Sequence, residues 1–495
     1  MGIPERNLPS PEDARGLAAA AVAAARECSR AWGAEPVAGR IALLRRLRRL
    51  LAEEPFRLAL RARGGDAEAA RESLVGEVLP LLDACRFLER RAKRLLAPRR
   101  AGFRGRPLWL RGVRLEIRRD PHGVVLVIGP YNYPLFLPGA QALQALAAGN
   151  AVVLKPGAGG SAAAEALRDA LLHAGADGRL LQVLPEDPAY AAAAIEAGVD
   201  KVVLTGSART GVQVLSELAP AIVPATVELS GCDAVYVLES ADLDRAVRAL
   251  AFGLRWNGSE TCIAPRRVFA FAGIAGSLES ALAEAARAIR PRPCRPAAAD
   301  LLRELLLEAE AEGARIVAGS PAPVSAESCA PVVVAGARPE MRLLKADIFA
   351  PVVSIVRVAG AAEALAASEK CPYALGASVF GEEREALELA RRVPAGAVVV
   401  NDAIVPTADP RFPFGGRGRS GYGVTRGAEG LLEMTRVRAI AVRRGRSGRH
   451  LEELRPGDEA LFEDFIRMVH GGGWRGRFAA ARSLAGALRR RGSPP

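Results

Sequence analysis

Lysine is nearly missing from this chain: 5 of its 68 basic residues are lysine and 63 are arginine. The formal net charge of +13 therefore reflects a compositional swing towards arginine and alanine more than a basic surface built for nucleic acid. The excess is also uneven. Residues 442–495 carry 12 arginines against 6 acids, which gives +6 there and leaves +7 for everything else. No apolar run reaches 18 residues, so a membrane-spanning helix has no support. The opening "MGIPERNLPS" lacks a basic region followed by an apolar stretch, and Arg6 stands where a myristoylation signal needs Ser or Thr. A cytoplasmic location is the expectation. The seven cysteines are odd in number and form no CxxC pair, so neither a disulfide framework nor a zinc site is expected, and no metal is assigned.

What is present is an ordinary globular mixture, half hydrophobic and a quarter charged over 495 residues. At roughly 100–200 residues per domain, two to four domains are expected. Residues 10–98 read as helices: Ser10 can cap, Pro11 suits the first helical position, and Glu12 and Asp13 favour the positive end. "PLWLRGVRLEIRRDP" (107–121) alternates apolar and polar residues around Arg111 and Gly112, as a two-stranded ribbon would. From Gly123 to Leu229 short apolar runs alternate with helical stretches: "GVVLVIG", "NAVVLKP", "LLQVLP", "DKVVLTG" and "ATVEL". That alternation predicts parallel strands joined by crossovers, a doubly wound α/β architecture of the nucleotide-binding type. A second α/β region runs from Ala234 to about Asn401, with "AVYVL", "RRVFAF", "PVVVAG", "PVVSIVRV" and "GAVVVN" as strand candidates and "RPRPCRP" as a loop.

Chemistry could sit at several of these junctions. In "KVVLTGSARTGVQVL" (201–215), Gly206, Ser207 and Gly211 fall where a strand hands over to a helix, and exposed amides there favour phosphate. The spacing is GSxxxG and not GxGxxG, so a plain glycine turn is an equal reading. Lys155 ends "NAVVLK" at the carboxyl end of a strand, either as a solvated terminus or as a ligand-binding group. Glu228 in "ATVEL" is a boundary residue or a general base facing a cleft. Cys262, in "NGSETCIAPRR", is by itself as readily a small apolar filler as a nucleophile.

Taken in order, "IGPYNYP" (128–134), "GNAVVLKP" (149–156), "LTGSARTG" (204–211), "VELSG" (227–231), the Asn and Cys of "NGSETC" (257–262), "DIFAPV" (347–352) and "PFGGRGRSGYG" (413–423) resemble the aldehyde dehydrogenase superfamily. The "NYP" form and the Asn401–Asp402 pair look most like its class 3 or fatty-aldehyde branch. The resemblance implies a Rossmann-type cofactor domain, a second α/β catalytic domain and a small β-ribbon for oligomerisation. The corresponding boundaries are 1–106 for the N-terminal helices of the cofactor domain, 107–121 with 434–442 for the ribbon, 122–229 for NAD(P) binding, 230–433 for catalysis and 443–495 for a basic tail.

The same resemblance implies an oxidoreductase that converts an aldehyde to a carboxylic acid with NAD or NADP, as a homodimer. Cys262 matches the nucleophile, Asn132 the side chain that holds the oxyanion with the backbone amide of Cys262, and Glu228 the base that activates water. Lys155 matches the residue on the adenosine ribose, and Ser207, between Gly206 and Gly211, the serine near the pyrophosphate. Asp347 stands where a Glu usually binds the nicotinamide ribose, and Phe349 lies beside that ring. Departures accompany the match. Ser230, Gly231 and Cys232 replace Gly-Gly-Lys, Ser259 and Glu260 replace Gly-Gln, and Ala158 stands where a glutamate often selects NAD. A carboxylate at Glu260 would raise the thiol pKa if it faces the site. Without one at position 158, a 2′-phosphate meets no repelling charge.

Two alternatives stay open, a coenzyme A-acylating reductase and a non-catalytic scaffold of the same fold. The tail segment 474–491 places Trp474, Phe478, Ala481, Ala485 and Leu488 on one helical stripe among six arginines and no acid. It suits a peripheral membrane contact or a helix packed on a partner subunit.

Overall fold

The computed structural model describes residues 10–110, 112–321, 324–444, 451 and 453–491; Arg6 and Arg111 lie outside them. The chain divides into two compact units, Met1–Arg99 with Glu116–Ile440, and Arg100–Leu115 with Ala441–Pro495. In the first unit the expected N-terminal helices form, beginning with Pro11–Ala34, where the Ser10 hydroxyl accepts the Asp13 amide at 3.1 Å. Val37–Glu53 follows and buries Ile41, Leu44, Leu47 and Leu51 at helical spacing.

The first sheet runs, from one edge, Gly421–Tyr422, Ala225–Leu229, Lys201–Gly206, Val124–Ile128, Ala151–Lys155 and Leu181–Val183. All five runs read from the sequence are present and pair in parallel. Every residue of Val124–Ile128 and Ala151–Lys155 is buried, which is why these strands are continuously apolar instead of alternating. The order reverses between Val124–Ile128 and Lys201–Gly206, so the carboxyl ends of those strands flank the crevice where open α/β sheets take ligands. Gly421–Tyr422 is the exception in direction: it pairs antiparallel, setting Gly421 opposite Glu228.

The second sheet is ordered Arg315–Ala318, Val332–Ala335, Val352–Val358, Pro265–Phe271, Asp233–Val237, Gly376–Phe380 and Ala397–Val400. Ala234, Tyr236 and Leu238 enter one apolar cluster while Val235 and Val237 enter another, so this sheet is also covered on both faces. Only its Arg315–Ala318 edge is antiparallel. Arg99–Arg100, Val113–Pro121 and Thr435–Arg443 make a three-stranded ribbon.

Two readings of the sequence differ from the structure. Residues 108–110 form a single 3-10 turn, so the 107–121 stretch supplies one strand and not a hairpin. Gly376–Phe380 is a fully buried strand that no apolar run announced, because "GASVF" is built of small residues. In the second unit, Asp458–His470 and Trp474–Arg491 are helices. The latter buries Ala480 and Leu484, while Trp474 and Phe478 of the expected stripe are exposed. Among the described residues no helix is long and apolar enough to cross a membrane.

Candidate active site

The segment carrying Cys262 begins where the helix Leu243–Arg255 ends, and three consecutive residues there are left-handed: Asn257 (φ 50°), Gly258 (φ 62°) and Ser259 (φ 62°). Asn and Gly adopt this conformation at little cost, but serine does not. Ser259 is held there by the buried Arg266, which donates to its hydroxyl at 2.8 Å and its carbonyl at 2.5 Å, while the hydroxyl donates to Gly253. The carbonyl of Glu260 accepts from the side-chain amides of Asn132 (2.8 Å) and Asn257 (3.3 Å). Trp256 Nε1 donates to the Tyr133 hydroxyl at 3.0 Å, and that hydroxyl shares a second hydrogen bond of 2.8 Å with Thr261 Oγ1. The Cys262 turn and the Asn132–Tyr133 loop are thus sewn to one another.

That second loop is itself anchored by a residue the sequence did not single out. Glu77 sits in a π-helical turn, Leu74–Val78, and is fully buried. Its carboxylate accepts the amides of Leu135 (2.7 Å) and Phe136 (3.1 Å) and pairs with Arg63 at 2.7 Å. A carboxylate on the first amides of the helix Phe136–Ala148 meets the positive end of its dipole. Its only signal is an acid inside an otherwise unremarkable helix, and spacing cannot identify a π-bulge.

Glu228 lies in Ala225–Leu229, buried, and interacts with the Cys262 thiol and the Thr205 hydroxyl. Burial pushes its carboxyl up to about 7, against the opposing pull of Arg426, Cys262 and Thr205. Its Oε1 has no hydrogen-bond partner among the described residues. The Cys262 thiol is pushed well above its ordinary value by burial first, and then by the charges of Glu228 and Asp233. The expectation that Glu260 would do this is therefore replaced: Glu260 is itself shifted up by burial and faces Arg295 and Arg63. Among the described residues the cation that lowers the Cys262 thiol is Arg426, whose guanidinium lies 4.4 Å from the Phe414 ring and 5.6 Å from Phe136.

Cys262 opens on a cavity of about 390 Å³, walled by Phe252, Trp256, Tyr133, Phe136 and Phe414. Arg426 is the single formally charged side chain in that wall. It gives Nη1 to the carbonyl of Thr407 at 2.5 Å and leaves its buried Nε without a partner among the described residues.

The expected cofactor residues gather at the carboxyl ends of the first sheet. Lys155 is buried at the last position of its strand, its pKa lowered by burial against Asp187 and Glu186. Ser207 caps Ala208–Leu218, accepting the Thr210 amide at 3.2 Å. A methyl at Gly206 would meet nothing closer than 3.5 Å, so the glycine leaves room that the chain itself does not fill. Gly211 differs from expectation: its missing Cβ would lie 2.7 Å from Leu229, which makes it a packing glycine between helix and strand. Asp347 accepts the Ser230 hydroxyl through Oδ2 and keeps a buried Oδ1 without a partner among the described residues. The Phe349 ring lies 6.0 Å from Tyr131. A buried lysine, a bare strand-to-helix turn and an orphaned carboxylate oxygen fit the ribose hydroxyls and pyrophosphate of a dinucleotide. Ala158 does not leave this region free of negative charge, because Glu186 accepts the amides of Gly159 (2.7 Å) and Ser161 (2.9 Å) and acts on Lys155.

Two largely parallel α/β sheets, with a thiol against a buried carboxylate and strand-end residues that fit a dinucleotide, suit a nucleotide-dependent enzyme that works through a thiol. The chain belongs to the aldehyde dehydrogenase family, whose model matches residues 11–440. It is similar to a Mycolicibacterium smegmatis protein named "Putative succinate-semialdehyde dehydrogenase (NADP+)", 31% identical over 443 residues, 86% of this chain and 84% of that one. It is also similar to 4,4'-diapolycopene aldehyde oxidase of Methylomonas sp, 30% identical over 82% of this chain and 77% of that one. Among solved structures, NADP-dependent glyceraldehyde-3-phosphate dehydrogenase from Bacillus halodurans, complexed with NADP, aligns with a TM-score of 0.78 at 27% identity. That alignment covers 87% of this chain and 91% of that one. The protein is an NAD(P)-dependent aldehyde dehydrogenase that yields a carboxylic acid.

Proposed function

We propose that the chain oxidises an apolar aldehyde, with Cys262 as nucleophile, Glu228 as general base and Asn132 as oxyanion donor. The observation that carries this reading is the Cys262 thiol set against a buried carboxyl with a pKa of about 7. Glu228 takes the thiol proton, and the thiolate adds to the aldehyde carbonyl to give a hemithioacetal. One N–H of the Asn132 amide serves the Glu260 carbonyl, leaving the other, with the backbone amide of Cys262, for the oxyanion. A bound NAD or NADP supplies the hydride acceptor. Lys155, Gly206, Ser207 and Asp347 would hold it, with Phe349 beside the reacting ring and Gly211 acting only through packing.

Once Glu228 has released the thiol's proton, its carboxylate removes a proton from water to hydrolyse the resulting thioester, a task suited by an Oε1 with no partner among the described residues. That base favours hydrolysis over transfer to coenzyme A. The aromatic and aliphatic cavity wall supports an apolar substrate and agrees with the fatty-aldehyde branch. A second reading, a semialdehyde whose carboxylate meets Arg426, is favoured by the unused Nε of that residue. Nonanal, benzaldehyde and succinate semialdehyde, assayed with NAD and NADP and with and without coenzyme A, separate the two. A kcat/KM higher for succinate semialdehyde than for nonanal would overturn the apolar reading, and activity surviving in Cys262→Ala would overturn the nucleophile.

The assembly we propose is a cytoplasmic homodimer joined through the ribbon, where Val437, Ile440 and Val442 are exposed. The tail would make a peripheral membrane contact through the exposed Trp474 and Phe478. Light scattering tests the dimer. Equal pelleting with anionic liposomes of the full chain and a form lacking 443–495 would end the membrane reading.

A further inference from the structure

Two cysteines outside the catalytic cavity are brought together by one buried guanidinium. Arg267 donates Nε to the carbonyl of Cys232 at 2.7 Å and Nη1 to the carbonyl of Ser368 at 2.9 Å, and the Cys371 amide bonds to that same Ser368 carbonyl at 3.2 Å. The side chains of Cys232 and Cys371 interact, and the Cys232 thiol also donates to the Leu344 carbonyl at 3.6 Å. Cys371 lines a second cavity, of about 280 Å³, with Arg267, Tyr373 and Arg417, whereas Cys232 lies behind it and is 1% exposed.

We propose that Cys232 and Cys371 form a peroxide-reactive dithiol pair that closes to a disulfide, with Cys371 as the attacked thiol and Cys232 as the resolving one. The surroundings support this division. The Cys371 thiol is lowered by its interaction with Cys232, by Arg267, by the Tyr373 amide and by Lys345, against the opposing effect of burial. Asp233 is the acid that also faces it. Cys232 is shifted the other way and keeps its proton. Low pKa with a neighbouring thiol is the pattern of a redox-responsive cysteine.

The chemistry balances with a hydroperoxide as oxidant. The Cys371 thiolate attacks the distal peroxide oxygen; an S–O bond forms, the O–O bond breaks, and the leaving alkoxide takes a proton to become an alcohol, or water from hydrogen peroxide. Sulfur has lost two electrons and is now a sulfenic acid. The Cys232 sulfur then attacks it, the S–S bond forms, the S–O bond breaks, and hydroxide leaves with the Cys232 proton as water. The chain already holds a contrast. Cys294 and Cys329 also interact, but both thiols are raised, Cys329 to about 12, so that pair should resist the same oxidant.

The inference does not depend on which aldehyde is oxidised. The full-length protein is treated with graded hydrogen peroxide, quenched in acid, digested with trypsin and mapped by mass spectrometry without reduction. The expected product is residues 210–245 joined to residues 371–384 with loss of two hydrogens. In Cys232→Ser, dimedone should instead trap a sulfenic acid at Cys371. Unmodified Cys371 in the native chain at peroxide levels that already oxidise Cys262 would overturn the proposal, as would a Cys294–Cys329 link forming first.

Discussion

Cys262 and Cys371 are two thiols in the same folded unit, each beside a cavity, and their protonation is driven in opposite directions. Burial opposes ionisation at both. At Cys262 the next influences are the carboxylates of Glu228 and Asp233, with Arg426 against them. At Cys371 they are a thiol donor, two cations and a backbone amide. Burial and the carboxylates act together to raise the Cys262 thiol, whereas the neighbours of Cys371 outweigh its burial and lower it. In the mechanism proposed above, the raised Cys262 thiol keeps its proton until Glu228 removes it. The Cys371 thiol is shifted towards ionisation with no such base beside it.

The largest expected effect comes from removing each sulfur in turn. Cys262→Ala should lower the rate of reduced-cofactor formation by on the order of 10⁴-fold, whereas Cys371→Ser should retain activity within about twofold. Comparable losses in both would erase the distinction. Glu228→Gln should cost roughly 10²–10⁴-fold. The native rate should rise with pH through about 7, as the carboxyl ionises, and that limb should vanish in the variant. Stability runs the other way: the folded state holds the Glu228 proton more tightly than the unfolded chain, so its contribution is present at low pH and falls between about 4.5 and 7. Chemical denaturation should find Glu228→Gln more stable than the parent above pH 7, by on the order of 3 kcal/mol at most.

Iodoacetamide labelling followed by peptide mapping sharpens the same contrast. Cys371 alkylation should level off below the ordinary cysteine pKa, while that of Cys262 should still be climbing at pH 9. At pH 7 Cys371 should be alkylated faster than Cys262. Arg267→Met should move the Cys371 plateau to higher pH and reduce stability by roughly 1–3 kcal/mol, because the buried Cys232 carbonyl loses the Arg267 donor and the Ser368 carbonyl keeps only backbone ones. Tyr133→Phe is the mildest change. Losing the hydroxyl between Trp256 and Thr261 should cost roughly 0.5–1.5 kcal/mol, seen in Tm and a modest rise in KM.

Much of the first sheet was legible because strands buried on both faces must be continuously apolar, and five such runs stood in order. The missed strand Gly376–Phe380 lies just as deep but is built from small residues, since Gly376 must clear the carboxylate of Asp233. At the site, motif order pointed to Cys262, Glu228 and Asn132, which the fold brings into one neighbourhood. What could not be read was the support: Glu77 at a helix start 58 residues away, Arg266 under Ser259, and Arg426 between two rings. Each is an ordinary charged residue whose role exists only in three dimensions. Glu260 is the converse case. It is close to the thiol in sequence, but its charge is directed at Arg295 and Arg63.

The antiparallel pairing of Gly421–Tyr422 with Val227–Glu228 has a consequence for how the protein is made. The ribosome releases the strand bearing Glu228 long before the segment that covers its edge. With about 190 residues between them and synthesis at roughly 5–20 residues per second, that edge stays open for on the order of 10–40 seconds. Through that interval the nascent first sheet carries an unpaired, largely apolar border, the kind of surface that recruits chaperones or mispairs with a neighbouring chain.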